Sequence, residues 1–150
     1  MSNILIIEDD ENVRSMLCDL LSDDYEVFKA KNVKEALGIS KKIPPHIVLL
    51  DLNLGDSTAE EFIDKSDLPN YTVIIVLSAD CDADKRSLDM FGDDFEYYVL
   101  HKPFSTDQVR DMISKATIHW AVEKLLDDQK IGSQLLMMVR EINNKLGESV

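Results

Sequence analysis

Four groups in this sequence have the chemistry to handle a phosphoryl group, and each directly follows or ends a short aliphatic run. Glu8, Asp9 and Asp10 come after Ile4 to Ile7, Asp51 after Ile47 to Leu50, Ser78 after Val73 to Leu77, and Lys102 after Tyr97 to His101. Carboxylates gathered in one place repel one another unless a cation neutralises them. An all-oxygen set formed by Glu8, Asp9 and Asp51 suits hard Mg²⁺ better than zinc. Mg²⁺ takes one or two carboxylates and leaves positions for water and a phosphate oxygen. With the Lys102 ammonium to offset charge and the Ser78 hydroxyl to donate to an oxygen, such a site can hold a phosphoryl group. Asp51 is then the candidate nucleophile, because a carboxylate can accept phosphoryl covalently. Plainer roles compete for each residue. Asp10 reads as an ordinary helix N-cap, Ser78 or Lys102 alone would carry no message, and His101 is assigned no role. Asp51 is harder to dismiss, since a lone acid beside four apolar residues is costly without a partner.

These groups meet only if the chain folds to bring them together. Ile4 to Ile7, His46 to Leu50 and Val73 to Leu77 are short, aliphatic and rich in β-branched residues, as buried strands are, and Tyr25 to Ala30 and Tyr97 to Leu100 are weaker runs suited to sheet edges. Between them Val13, Met16, Leu17, Leu20 and Leu21 form the stripe of an amphipathic helix. Asn32 to Glu35 and Ser105 to Gln108 resemble capping boxes that open helices at Val33 to Lys42 and from Thr106 onward, and Thr58 to Lys65 and Asp84 to Phe91 complete the set. Strands alternating with helices specify an α/β parallel sheet covered on both faces. Open sheets of that kind bind ligands outside the carboxyl ends of their strands, which is where the four groups fall.

Composition narrows the function. The chain has 150 residues, about one domain, and 45% of them are hydrophobic, enough for a core without staples. A net charge of −13 repels nucleic acid and anionic membranes, so neither is an expected direct partner. Cys18 and Cys81 fit no disulfide or zinc pattern, and no segment resembles a signal peptide or a membrane span, so a cytoplasmic location is expected.

Taken together the motifs resemble the receiver domains of two-component response regulators. The match spans about residues 1–121: Ile-Leu-Ile-Ile-Glu8-Asp9-Asp10, Val-Leu-Leu-Asp51, Ser78-Ala79 and Lys102-Pro103-Phe104, with intervals of 42, 27 and 24 residues from Asp9 to Asp51 to Ser78 to Lys102. The resemblance implies a (βα)5 flavodoxin-like, doubly wound sheet of order 2-1-3-4-5. It also implies that Asp51 takes a phosphoryl group from a sensor histidine kinase or phosphotransfer protein. Asp9, Asp51 and the Asn53 main-chain carbonyl would ligate Mg²⁺, with Glu8 acting through water, while Ser78 and Lys102 would bind the phosphoryl oxygens. The chain departs from the family in two places. Leu54-Gly55-Asp56-Ser57-Thr58 replaces the usual turn after the acceptor. Val99 stands where the family has an aromatic switch, and Tyr98, one residue away, should point to the opposite face unless a bulge intervenes.

Residues 122–150 form a helical extension beyond the receiver, too short for the usual output domain. Ile131, Leu135, Met138, Ile142 and Leu146 make one apolar stripe. Either the fifth helix runs on as a pairing helix across a homodimer, or Gly132 breaks it and a short helix packs back. The expected function is a switch whose only chemistry is on its own Asp51, not an enzyme acting on other molecules. Two rivals stand beside it. A phosphatase of the haloacid dehalogenase type wants an Asp two residues after the nucleophile, where this chain has Asn53, and a scaffold would keep a silent pocket.

Overall fold

The computed structural model describes residues 2–55, 57–128 and 133–148. In chain order the elements are β1 (Asn3–Ile7), α1 (Glu11–Leu21), β2 (Glu26–Ala30), α2 (Val33–Lys42), β3 (Ile47–Asp51), β4 (Asn53–Leu54), β5 (Ser57–Thr58), α3 (Ala59–Lys65), β6 (Val73–Ser78), α4 (Ala83–Phe91), β7 (Glu96–His101), α5 (Thr106–Asp128) and α6 (Ser133–Glu148). Five strands pair in parallel in the order β2-β1-β3-β6-β7; β4 and β5 form a separate antiparallel ribbon. Counting the main-sheet strands alone, this is the expected 2-1-3-4-5 flavodoxin-like order.

The aliphatic runs become strands because both faces of the sheet are covered. Alternate residues serve opposite cores, as strand periodicity requires. Leu5, Ile7, Val48, Leu50, Ile74 and Val76 pack with Phe62 of α3 and Phe91 of α4. Ile4, Ile6, Ile47, Leu49, Val73, Ile75 and Leu77 pack with Leu17 and Leu21 of α1 and Val109, Ile113 and Ala116 of α5. Each fully buried aliphatic is worth about 1.5–3 kcal/mol against exposure, so the central strands have little freedom to shift register. Helix starts follow local chemistry. The Asp10 carboxylate caps α1 by accepting from the Asn12 and Val13 N–H groups. Asn32 accepts from Glu35 N–H, and Ser105 and Gln108 bond reciprocally as a complete capping box.

Pairing of β6 with β7 runs without interruption from Val73 opposite Glu96 to Ser78 opposite His101. With no bulge, Val99 and Tyr98 lie on opposite faces: Val99 sits against the α3/α4 core and Tyr98 against the α1/α5 core, where its hydroxyl bonds His119 Nδ1.

Helix α5 continues past residue 121 to Asp128, and α6 is a second helix. On one unbroken helix Glu123 and Arg140 would be roughly 25 Å apart at 1.5 Å per residue. Here Arg140 Nε lies 2.9 Å from Glu123 Oε1 and 3.9 Å from Glu96 Oε1, so the chain reverses and α6 returns to α5 and β7. Of the apolar stripe, Met138 and Ile142 are more than half exposed, so α6 docks through Arg140 rather than through that stripe. Ile131 and the Leu135 side chain lie outside what is described.

Candidate functional site

The carboxyl ends of β1, β3, β6 and β7 deliver the sequence-predicted groups to one rim. Glu8 follows β1, Asp51 ends β3, Ser78 ends β6 and Lys102 follows β7. Glu8 is 0% exposed and Asp51 and Ser78 are each 3% exposed, while Asp9 is exposed at the surface of the same cluster. The Lys102 ammonium lies 3.0 Å from Glu8 Oε2 and 3.3 Å from Asp51 Oδ2. The strands hold this arrangement through their main chains: Lys102 N–H donates to Ser78 C=O at 2.8 Å, and Leu52 N–H to Leu77 C=O at 3.1 Å.

Three main-chain N–H groups hold the polar side chains from within their own turns. Asn53 N–H donates to Asp51 Oδ1 at 3.0 Å, which leaves the other oxygen toward Lys102. Asp80 N–H donates to the Ser78 hydroxyl oxygen at 3.0 Å, and Asp10 N–H to Glu8 Oε1 at 3.1 Å. Burial, followed by the hydrogen-bonded Asp51 carboxyl, pushes the Glu8 pKa up to about 7, against the opposing pull of Lys102. Burial draws the Lys102 pKa down, but the bond to Glu8 and the charge of Asp51 outweigh it and leave the ammonium's pKa raised.

One ligand oxygen from each of Glu8, Asp9 and Asp51 lies within 4.8 Å of the others. Three carboxylates from two adjacent strand ends, with one lysine among them, fit a hard divalent cation. The loop after Asp51 takes its own form, the short β4/β5 ribbon with Gly55 at φ +69°, a left-handed position that suits glycine. Asn53 belongs to this ribbon, beside the acceptor. His101 sits outside the cluster with its ring 3.4 Å from the Asp84 carboxylate.

Two features escaped the sequence reading. Arg86 of α4 grips Glu60 of α3 with both its Nε and Nη2 at 2.7–3.3 Å, tying the helices that follow Asp51 and Ser78. Arg14 reaches back from α1 to the main chain of the acidic turn, donating to Glu8 C=O at 2.9 Å and Asp9 C=O at 3.4 Å. For Arg14 a signal existed: an arginine four residues after the N-cap can curl back over the turn it follows.

Comparison with known proteins agrees with the fold. Residues 4–114 match the response regulator receiver domain family, and the chain belongs to that family. It is 29% identical over 117 residues to sporulation initiation phosphotransferase F of Bacillus subtilis, covering 75% of this chain and 90% of that protein. It is 33% identical over 115 residues to the KDP operon transcriptional regulatory protein KdpE of Escherichia coli, covering 73% of this chain but 48% of the relative. A 31% identical match to the sensor histidine kinase TmoS of Ectopseudomonas mendocina covers 89% of this chain and only 14% of the kinase. The chain therefore spans less than half of these last two relatives. Among solved structures, chemotaxis protein CheY4 of Vibrio cholerae superposes with a TM-score of 0.69 at 23% identity over 77% of this chain and 98% of that one, a likeness of fold. Among the described residues no helix is long and apolar enough to cross a membrane.

Proposed function

We propose that this receiver acts as a phosphorylation switch in which Asp51 accepts the phosphoryl group from a phosphohistidine of a sensor histidine kinase or phosphotransfer protein. The observation that carries the reading is the Lys102 ammonium placed between Glu8 and Asp51, with Ser78 on the neighbouring strand end. An Asp51 carboxylate oxygen forms the new bond to phosphorus as the bond to the donor's imidazole nitrogen breaks, and, with the ring's other nitrogen already protonated, the donor leaves as neutral imidazole. Lys102 offsets charge on the transferred oxygens, and the Ser78 hydroxyl, which accepts from Asp80 N–H, still has its own proton to donate to one of them.

Mg²⁺ would be held by Asp9, Asp51 and the Asn53 main-chain carbonyl, with Glu8 acting through water. When bound it supplies positive charge opposite the phosphoryl oxygens. Asn53 and Asp80, each two residues beyond an acceptor-site residue, flank the path of a hydrolytic water, and small polar side chains there favour a short-lived acyl phosphate. The chemistry is confined to the protein's own aspartate. Asn53 supplies no carboxylic acid for multiple turnover, which weighs against the phosphatase reading. In the same reading the chain works in the cytoplasm, where its kinase partner presents phosphohistidine. Its outward Ile118, Leu125, Met138 and Ile142 can meet a second copy, which sedimentation velocity checks.

The test is incubation with acetyl phosphate and Mg²⁺, followed by intact mass. The wild type should gain the mass of one phosphoryl group, and Asp51→Asn none. A full adduct on Asp51→Asn, or turnover of the donor by that variant, rejects the switch; no acyl phosphate and no donor turnover by the wild type favours the scaffold.

A further inference from the structure

We infer that Arg14 is a positioning residue for the metal ligand Asp9, acting through the main chain of the turn that carries it. This rests on the Mg²⁺ reading above and adds a part to it. Glu8 and Asp51 are aimed by side-chain bonds to Lys102. Asp9 is aimed differently. It is the exposed member of the cluster, and the bond observed at this residue is at its carbonyl, where Arg14 Nη1 donates at 3.4 Å while donating to the Glu8 carbonyl at 2.9 Å.

The rest of the turn is fastened too. Glu8 N–H donates to Ala30 C=O, Asp10 N–H to Glu8 Oε1, and Arg14 N–H to Asp10 C=O. One side chain therefore satisfies two successive carbonyls, and the peptide plane between Glu8 and Asp9 cannot rotate without breaking at least one of those bonds. Rotation of that plane would swing the Asp9 carboxylate out of the cluster. The opposite side of the space for Asp9 is bounded by Gly55, where an added Cβ would sit 3.8 Å from Asp9 Oδ2. Outer-shell groups that orient a ligand commonly matter to metal affinity by one to two orders of magnitude.

Charge and positioning make opposite forecasts here, and that makes the inference testable. Removing a cation next to a cation site should tighten metal binding by Coulomb's law alone. Loss of the tether should weaken it. The probe is Mn²⁺, an oxygen-preferring octahedral ion followed by the electron paramagnetic resonance of its free form, with Mg²⁺ as competitor. Arg14→Ala should bind Mn²⁺ about tenfold more weakly than the wild type, the lower end of the outer-shell range. Arg14→Gln keeps an N–H donor without the charge and should fall between the two. Near-ultraviolet circular dichroism establishes that each variant is folded, and if Arg14→Ala is not, Arg14→Gln decides alone. Equal or tighter binding by the folded variants overturns the positioning role while leaving the metal site standing. A wild type that binds neither ion overturns the metal reading, and the role of Arg14 with it.

Discussion

Two places in this molecule set one basic side chain between two carboxylates, and they are built for different ends. At the rim, Lys102 lies between Glu8 and Asp51; against α6, Arg140 lies between Glu123 and Glu96. Lysine presents a compact point charge on a flexible stem, whereas the planar guanidinium of arginine holds a fixed fork geometry. The rim adds a third, exposed carboxylate in Asp9, a hydroxyl in Ser78 and the open end of the sheet. It keeps a negative excess that a divalent cation and a phosphoryl group can join. The Arg140 cluster spans β7, α5 and α6 and closes on a carboxylate only 2% exposed. The first arrangement can exchange partners, and the second fastens one helix to the sheet.

The largest effect should come from exchanging the fates of the two cations. Under the proposed switch, Lys102→Ala removes the ammonium that would offset charge on the transferred oxygens, and loss of one such preorganised donor typically costs 10²–10³ in rate. Phosphorylation of Asp51 by acetyl phosphate, timed by intact mass, should slow by roughly that factor. Arg140→Ala should change the same rate less than about twofold. Comparable losses in both variants would mean that the two clusters act as one and would break the contrast.

The next effect lies at the other cluster. Removing one partner of a buried ion pair can cost about 3–5 kcal/mol when the remaining charge stays buried. Glu123 has a way out, because α6 can detach and admit water, and this limits the cost to the docking of α6. Arg140→Ala should speed amide exchange in residues 137–148 while protection in β1, β3 and β6 holds. Unchanged exchange in α6 would show that Arg140 is not its fastening.

The sequence makes the rim more legible than the extension for a physical reason. Strands buried on both faces must be continuous aliphatic runs, so Ile4–Ile7, Ile47–Leu50 and Val73–Leu77 declare themselves, and so do the polar residues that end them. Tyr98 and Val99 were separable by period-two alternation alone. Among the described residues the extension is held through Arg140, which pairs with Glu123 and Glu96 far away in sequence. The stripe through Met138 and Ile142 suggested which face of α6 would pack, yet Arg140 decides the docking and leaves those residues outward. The last turns of α5, from 122 to Asp128, are held by polar contacts, Glu123 to Arg140 and Lys124 to Asp128 at 2.7 Å, which apolar periodicity cannot register. The β4/β5 ribbon has two residues a side, too few for any periodicity. The Arg14 tether ends on main-chain acceptors, which every sequence has, so only the position of the arginine four residues after the N-cap could point to it.

The smallest effect is a pH slope that belongs to the α5 side and not to the rim's phosphoryl chemistry. Burial, with Lys115 adding to it, lowers the pKa of His119, which shares a bond with the Tyr98 hydroxyl between β7 and α5. Burial likewise lowers His46, stacked on Trp120 of α5 at a centroid distance of 3.8 Å. A histidine whose folded pKa lies below its unfolded value of about 6.5 binds fewer protons when folded than when unfolded. Its contribution to stability is therefore complete above about pH 6.5 and is lost as the pH falls from there through the folded value. Each site can add at most about 1.4 kcal/mol of slope per pH unit, and only within that window. Glu8, which burial raises to about 7, works in the opposite sense and loses stability as the pH rises through that value, so the histidine part is read as the difference between the wild type and a histidine variant in urea unfolding at pH 7.5 and 5.5. His119→Gln keeps a hydrogen-bonding amide near Tyr98 without a titratable ring, so going from pH 7.5 to 5.5 should cost it less stability, or gain it more, than the wild type. If the variant shows the same pH difference as the wild type, His119 carries none of it, and the slope must be sought at His46 and among the carboxylates.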